Sequence, residues 1–261
     1  MVDKEKKDEP VEKKATLVEH LIELRSRLMK SVLSLALGFA VCYFAAEEIY
    51  AFLVDPYATA VQDESGRRLI FTALHETFFT YLKVALFAGI CISFPYIASQ
   101  LWIFVAPGLY KKEKGVLLPY LFASPVLFII GASLVYYLIM PLAINFFLSF
   151  ETSGADGTLP IQLEAKVNEY LSLVMKLILA FGICFQLPIL LTLLARVGMA
   201  TSEGLKKKRK YLIVAAFAVA AFLTPPDPIT QIGLGIPILL LYEISIFAVK
   251  FIEKKRETQL E

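Results

Sequence analysis

The sequence predicts an all-α, polytopic membrane protein with six transmembrane helices and both termini in the cytoplasm. Three observations predict it. First, 57% of the 261 residues are hydrophobic and 19% are charged, with a mean hydropathy of +0.66, too apolar for a soluble domain of this size. Second, the apolar residues gather into six runs separated by polar stretches. Third, Lys and Arg are shared unequally between alternate stretches. The first 30 residues hold eight, 105–115 three, 196–210 six and 250–261 four, making 21 on one side; 47–77, 145–169 and 224–231 hold three between them. The positive-inside rule assigns the rich side to the cytoplasm. No ten-residue alternation suggests a barrel, and in lipid only a barrel or helices satisfy the backbone.

Residues 1–15 mix Lys with Asp and Glu around no apolar centre, so they read as a disordered cytosolic lead and not as a signal peptide. Thr16 and Glu19 form a capping-box pattern that starts a helix. Leu17, Leu21, Leu24 and Leu28 then recur at helical spacing, with Glu19, Glu23, Arg27 and Lys30 on the other side. This stretch is too polar to cross a bilayer, so it is expected to lie on the surface as an amphipathic helix presenting carboxylates. The same charges also suit an ordinary solvated face, with Glu23–Arg27 a weak pair.

The expected spans are about 29–46, 78–104, 116–145, 168–197, 211–223 and 232–249. They make 16–251 one transmembrane domain and 252–261 a cytosolic tail. Residues 47–77 read as a loop with short helices. The last two runs are at or below the ~20 residues a span needs, so that part of the bundle is expected to be short. Prolines inside the second, third, fourth and sixth runs predict kinks. Kinked helices of unequal length suit a curved, cupped wall. Thr224-Pro-Pro-Asp-Pro is a strong turn signal.

Several classes of chemistry find no support. Cys42, Cys91 and Cys184 all fall in apolar runs, and the two histidines, His20 and His75, stand far apart, which gives neither a disulfide framework nor a metal site. There are no paired carboxylates at catalytic spacing, no nucleophile motif and no phosphate loop, so no enzyme and no cofactor is expected. A solute transporter would show internal repeats and a midplane cluster of charges; only Gln186 and Glu243 are candidate midplane polar groups. The Lys-Lys-Lys-Arg-Lys run at 206–210 reads as a membrane anchor and not as a nucleic-acid patch. Lys83 and Lys176 are placed to snorkel to an interface.

Five local patterns occur in order. They are His-Leu-Ile-Glu-Leu-Arg-Ser-Arg-Leu (20–28), Phe-Pro-Tyr-Ile-Ala-Ser-Gln-Leu-Trp-Ile-Phe-Val-Ala-Pro-Gly-Leu-Tyr-Lys-Lys-Glu (94–113), Ala-Phe-Gly-Ile-Cys-Phe-Gln-Leu-Pro (180–188), Leu-Thr-Pro-Pro-Asp-Pro-Ile-Thr-Gln (223–231) and Ile-Pro-Ile-Leu-Leu-Leu-Tyr-Glu-Ile (236–244). Together they resemble the TatC family, the core subunits of the bacterial twin-arginine protein translocase, over roughly residues 16–250. The resemblance implies a receptor in the cytoplasmic (inner) membrane that binds twin-arginine signal peptides of folded cargo. It also implies assembly with TatA and TatB single-span subunits and with other copies of itself, and transport driven by the proton-motive force.

The resemblance implies signal-peptide-binding roles for Glu23 and Glu113, with Glu19 and Arg25 in support. Two guanidinium groups suit two separate carboxylates, each able to accept a bidentate pair of hydrogen bonds. Glu113 among Lys111, Lys112 and Lys114 would equally balance charge in a basic loop. Gln186 stands where family members often carry glutamate, which puts any titrating role there in doubt. Hydration of the cupped face, a bond to a partner helix or a bond within the bundle all remain open. Thr224 and Gln231 match a polar cluster where partner subunits dock, and turn capping would also explain them. Glu243 is costly in lipid unless paired or wet, and the sequence gives it no role.

Overall fold

The computed structural model describes residues 17–61, 67–105, 114–154, 159–224 and 227–257. The elements are α1 (Leu17–Phe44), α2 (Ala46–Ala60), α3 (Glu76–Val105), α4 (Lys114–Leu134), a π-helical turn (Val135–Ile139), α5 (Met140–Leu148), α6 (Val167–Cys184), α7 (Leu187–Arg196), α8 (Ser202–Lys207), α9 (Arg209–Leu223) and α10 (Pro228–Glu257). Extended pairing among the described residues is limited to isolated bridges at Ile70–Lys166 and Thr152–Ile161.

Among the described residues, five helical stretches are long and apolar enough to cross a bilayer: Val18–Phe44, Glu76–Val105, Leu118–Leu148, Val167–Arg196 and Pro228–Lys255. The fifth apolar run of the sequence is α9, with 15 residues. At ~1.5 Å per residue it reaches ~22 Å, short of the ~30 Å hydrocarbon core.

Two proline effects are visible. Pro141 has no N–H to offer the carbonyl of Tyr137, and the chain widens into the π turn just before it. Pro188 likewise cannot bond to Cys184, and the helix breaks at Phe185–Gln186 between α6 and α7. Pro95, Pro119, Pro125 and Pro237 stay inside continuous helices.

At the N-terminal side the structure differs from the sequence reading. A surface helix ending near Leu28 and a separate span starting at Met29 were expected, yet α1 runs unbroken from Leu17 to Phe44. No Gly or Pro occurs between Leu17 and Gly38, and extending a helix costs less than ending one and nucleating another.

The core is centred on α6, whose Leu171, Val174, Leu177 and Phe181 are fully buried with Val84 of α3, Met140 of α5 and Leu234 of α10. Neighbours follow one another around the molecule: α1 lies on α3, α3 on α4 and α6, α4 along α6, α10 against α7, and α9 on α10. Only 11% of the apolar window of α1 is buried, against 39–56% in the other four long stretches, so α1 depends on α3. Their contact is a close backbone approach. A Cβ on Gly89 would lie 2.8 Å from the amide nitrogen of Phe39, and one on Gly38 would lie 2.9 Å from the Gly89 carbonyl oxygen. Beside this crossing the Ser93 hydroxyl donates to the Ser34 carbonyl oxygen at 2.9 Å. Small residues and an interhelical hydrogen bond hold helices together where lipid supplies no hydrophobic drive.

One end of the bundle is closed by α2 and the segments at 67–75, 149–154 and 159–166. The Ile70 amide donates to the Ala165 carbonyl at 3.0 Å, and the Val167 amide to the Ile70 carbonyl at 2.9 Å. Tyr136 and Tyr170 hydroxyls donate to the carbonyls of Phe52 and Leu53 in α2. Arg67 forms a two-pronged pair with Glu151, one prong at 2.5 Å, and the Leu163 amide donates to the same carboxylate at 2.6 Å. The Arg67 hydrogen bond, more than any other contact, holds the Glu151 carboxyl below the usual carboxylate range. The opposite end carries the start of α1, the end of α3, the end of α7, α8 and the end of α10; it is the lysine-rich end.

Two outcomes follow. Gly89→Leu should lower stability by about 1–3 kcal/mol, because the backbone of α1 has no room to yield; thermal unfolding of the detergent-solubilised protein measures it. The lowered Glu151 carboxyl contributes stability above the ordinary glutamate pKa of about 4.3, and that contribution is lost as pH falls through the lowered value. Proteolytic protection of residues 149–167 should therefore decline below about pH 4. Glu151→Gln should be less protected at neutral pH and show a flatter acid profile.

Candidate functional site

At the lysine-rich end the first turns of α1 lie against the last turns of α3. The His20 ring stacks on Phe104 with centroids 4.4 Å apart. Arg27 donates to Glu23 Oε1 from Nε at 3.0 Å and from Nη2 at 2.5 Å. Its Nη1 donates to Oε1 of Gln100 on α3 at 3.4 Å. Arg27 thus fixes Glu23 and touches the neighbouring helix with the same guanidinium. The Glu23 side chain keeps 37% of its surface exposed and that of Arg27 20%. An i,i+4 pair so wetted is worth only ~0.3–0.5 kcal/mol. Both bonds fall on Oε1, and among the described residues no donor reaches Oε2.

Glu19 and Arg25 are exposed on the same helix. Glu113 lies outside the described residues. The site as described therefore joins Glu23 with Arg27, Gln100, His20 and Phe104. Gln100 has no local sequence signal; it is found only by setting α3 beside α1.

Gln186 is elsewhere, at the α6–α7 break, and is 8% exposed. Its Oε1 accepts from the Ser124 hydroxyl of α4 at 2.5 Å, and its Nε2 donates to the carbonyls of Ser124 at 3.0 Å and Gly182 at 3.3 Å. Trp102 of α3 donates its indole N–H to the same Ser124 hydroxyl at 3.2 Å. The network spans α3, α4 and α6, and each polar atom in it has a partner. Against this geometry, a carboxylate would offer an acceptor where both carbonyls need a donor.

Thr224 and Gln231 sit at the other end. Thr224 closes α9, its hydroxyl and its amide both donating to the Ala220 carbonyl at 2.9 Å. Gln231 is half-buried in the first turn of α10, its amide donating to the Asp227 carbonyl at 3.2 Å. Between them, Asp227 caps α10 by accepting from the Thr230 amide at 2.6 Å and from its hydroxyl at 2.5 Å. Glu243, without a role in the sequence reading, pairs with Arg209 of α9 at 2.5 Å, both half-exposed. No group of His, Cys, Asp and Glu among the described residues could hold a metal ion.

A bundle of long apolar helices, one end rich in cations and presenting a half-exposed carboxylate, defines a multi-pass membrane protein. The model of the family described as "Sec-independent protein translocase protein (TatC)" matches residues 19–237. The Magnetococcus marinus protein named Sec-independent protein translocase protein TatC is 51% identical over 95% of this chain and 89% of its own. Those of the same name from Rickettsia prowazekii and Escherichia coli K12 are 45% and 36% identical, over 91% and 92% of this chain and 94% and 90% of theirs. A crystal structure titled as the twin arginine translocase receptor TatC superposes with a TM-score of 0.78 at 38% identity, covering 89% of this chain and 99% of that one. The chain belongs to the TatC family of protein translocase components, whose named role is transport.

The Gln186 network makes a direct prediction. Gln186→Glu at neutral pH forfeits both donor bonds and should lower stability by about 1–3 kcal/mol. Gln186→Glu combined with Ser124→Ala should not recover it. Melting temperatures in one detergent decide the point, and a Gln186→Glu protein as stable as the parent would refute the account.

Proposed function

We propose that this chain is the core receptor subunit of a twin-arginine translocase in the bacterial cytoplasmic membrane. In this reading it crosses the membrane six times, with α9 as the short fifth span, and its spans form a cupped wall. Residues 16–251 act as one domain, and both termini are cytoplasmic. The lysine-rich end then faces the cytoplasm, and the first three turns of α1 stand at the cytoplasmic surface.

The twin arginines of a signal peptide are received by Glu23 and Glu113, with Glu19 and Arg25 nearby. The observation that carries this reading is the guanidinium of Arg27 on Glu23: the carboxylate already holds the chemical group it is proposed to receive. An arriving arginine exchanges with Arg27, like for like. Because the resident pair is exposed and weak, the exchange costs little. A second carboxylate, Glu113, supplies the gain that a single exchange cannot. Exposed apolar side chains on α9, among them Val214 and Phe222, support docking of TatA- and TatB-type single-span subunits along it, near Thr224 and Gln231. Assembly with further copies and coupling to the proton-motive force complete the proposed function.

A twin-arginine peptide carrying a photo-crosslinker tests it. Glu113→Ala should weaken crosslinking by roughly 10–100-fold, the worth of one charge-assisted contact, and Glu23→Ala by only about twofold, because there the arriving arginine merely replaces Arg27, with membrane insertion unchanged in both. Arg27→Gln should keep or strengthen crosslinking, because it removes the competitor. Undiminished crosslinking in the Glu23→Ala, Glu113→Ala double variant sinks the receptor assignment of these residues.

A further inference from the structure

At the lysine-rich end, α7, α8, α9 and α10 surround a cavity of ≈ 590 Å³ that none of the contacts above uses. Leu191 and Leu194 of α7 and Leu212 and Ala215 of α9 give it an aliphatic wall, and Lys208 and Tyr211 stand at its outer part. Lys208 precedes Ala215 by about two turns of helix, so the charge is at the end of the bundle and the apolar wall runs inward.

The cations around it are not equivalent. Arg209 is occupied by Glu243 at 2.5 Å, and the Lys210 ammonium lies 5.2 Å from the Tyr211 ring centroid. Lys206, Lys207 and Lys208 are exposed, and among the described residues none of the three reaches a carboxylate. Of these three, Lys208 lines the cavity, and Lys206 and Lys207 precede it directly in the chain. A small soluble anion would make no use of the leucine wall, and an apolar helix would leave three ammonium groups unmatched. A molecule with an anionic head and aliphatic chains uses both parts.

We propose that this cavity is a binding site for an anionic phospholipid of the cytoplasmic leaflet. Its phosphate lies against Lys208, flanked by Lys206 and Lys207, and the upper part of an acyl chain lies along Leu191, Leu194 and Leu212. A lipid seated there ties the ends of α7, α8 and α9 together. The leaflet assignment rests on the proposed cytoplasmic placement of this end; the chemistry of the site does not.

Native mass spectrometry of the full chain in mild detergent, with phosphatidylglycerol and phosphatidylethanolamine added equally, tests the site. Phosphatidylglycerol should be retained preferentially. Lys208→Gln should weaken its binding about fivefold, and removal of all three lysine charges about a hundredfold. Ala215→Trp, which fills the wall without touching the charge, should also weaken it. Equal retention of the two lipids, or unchanged binding in the triple variant, overturns the proposal. So does unchanged binding in Ala215→Trp, which would mean adsorption to surface charge alone. A polypeptide captured in place of lipid by a photo-crosslinker at Leu212 overturns it as well. Separately, a cysteine introduced by Lys207→Cys should react with an impermeant maleimide only in inverted vesicles. Reaction from outside intact spheroplasts overturns the leaflet assignment and the proposed topology, whatever the lipid affinities show.

Discussion

The close approach of α1 to α3 at Gly38 and Gly89 governs where the candidate site lies. α1 is the least enclosed of the long helices, and apolar side chains facing lipid contribute nothing to its position, since lipid tails solvate them as well as a neighbouring helix does. Among the described residues, contacts with α3 chiefly hold it: the glycine crossing, the Ser93–Ser34 hydrogen bond and, further along, the Arg27–Gln100 and His20–Phe104 contacts. Gly38 is 15 residues from Glu23, or ~22 Å of helix. No Gly or Pro interrupts that length. A carboxylate at the surface is thus positioned by a contact inside the bundle, through a rigid lever.

A second crossing supports the first. A Cβ on Gly182 of α6 would overlap the Phe128 ring of α4, and the carbonyl of the same glycine accepts from Gln186. Ser124 and Trp102 join α4 and α3 to this point. Buried polar groups are costly singly and specific when all are satisfied. Here the satisfied network fixes α3 against α4 and α6, and so fixes the helix on which α1 depends. The position of Glu23 is in this sense set partly by a glutamine three helices away.

Much of this architecture was legible in the sequence, for identifiable reasons. Apolar runs report spans because the bilayer demands them, and Pro141 and Pro188 report breaks because a missing N–H has only local consequences. The capping box and polar stripe of 16–28 misled on one point: amphipathicity marks which face is wet but carries no stop signal, so the helix simply continues into the membrane. The Glu23–Arg27 pair could be read from spacing, since i,i+4 neighbours meet on any helix. Gln100, the Ser124–Trp102–Gln186 network, Arg67–Glu151 and Arg209–Glu243 could not. Each joins residues at least 22 positions apart, and their meeting depends on helix rotation and register that no local pattern encodes. Glu243 shows the limit well. Its cost in an apolar run was evident; its partner on another helix was not.

The weakness of the Glu23–Arg27 pair also bears on the receptor role proposed above. Had Glu23 been buried with Arg27, opening the pair would have left an uncompensated charge at a cost of several kcal/mol, and a peptide would have had to meet that cost before gaining anything. Had Glu23 stood alone, lysine-rich segments of every passing protein could have approached it. A half-exposed carboxylate already carrying a guanidinium avoids both. It is cheap to open, but a lone ammonium, a point charge without the planar fork, exchanges for it at a loss. In the proposed role, discrimination would come from requiring a second acceptor at a fixed distance, because one exchanged pair gains almost nothing and the second pair supplies the gain. A rigid lever of uninterrupted helix suits that requirement, since selectivity of this kind fails once the first carboxylate can wander.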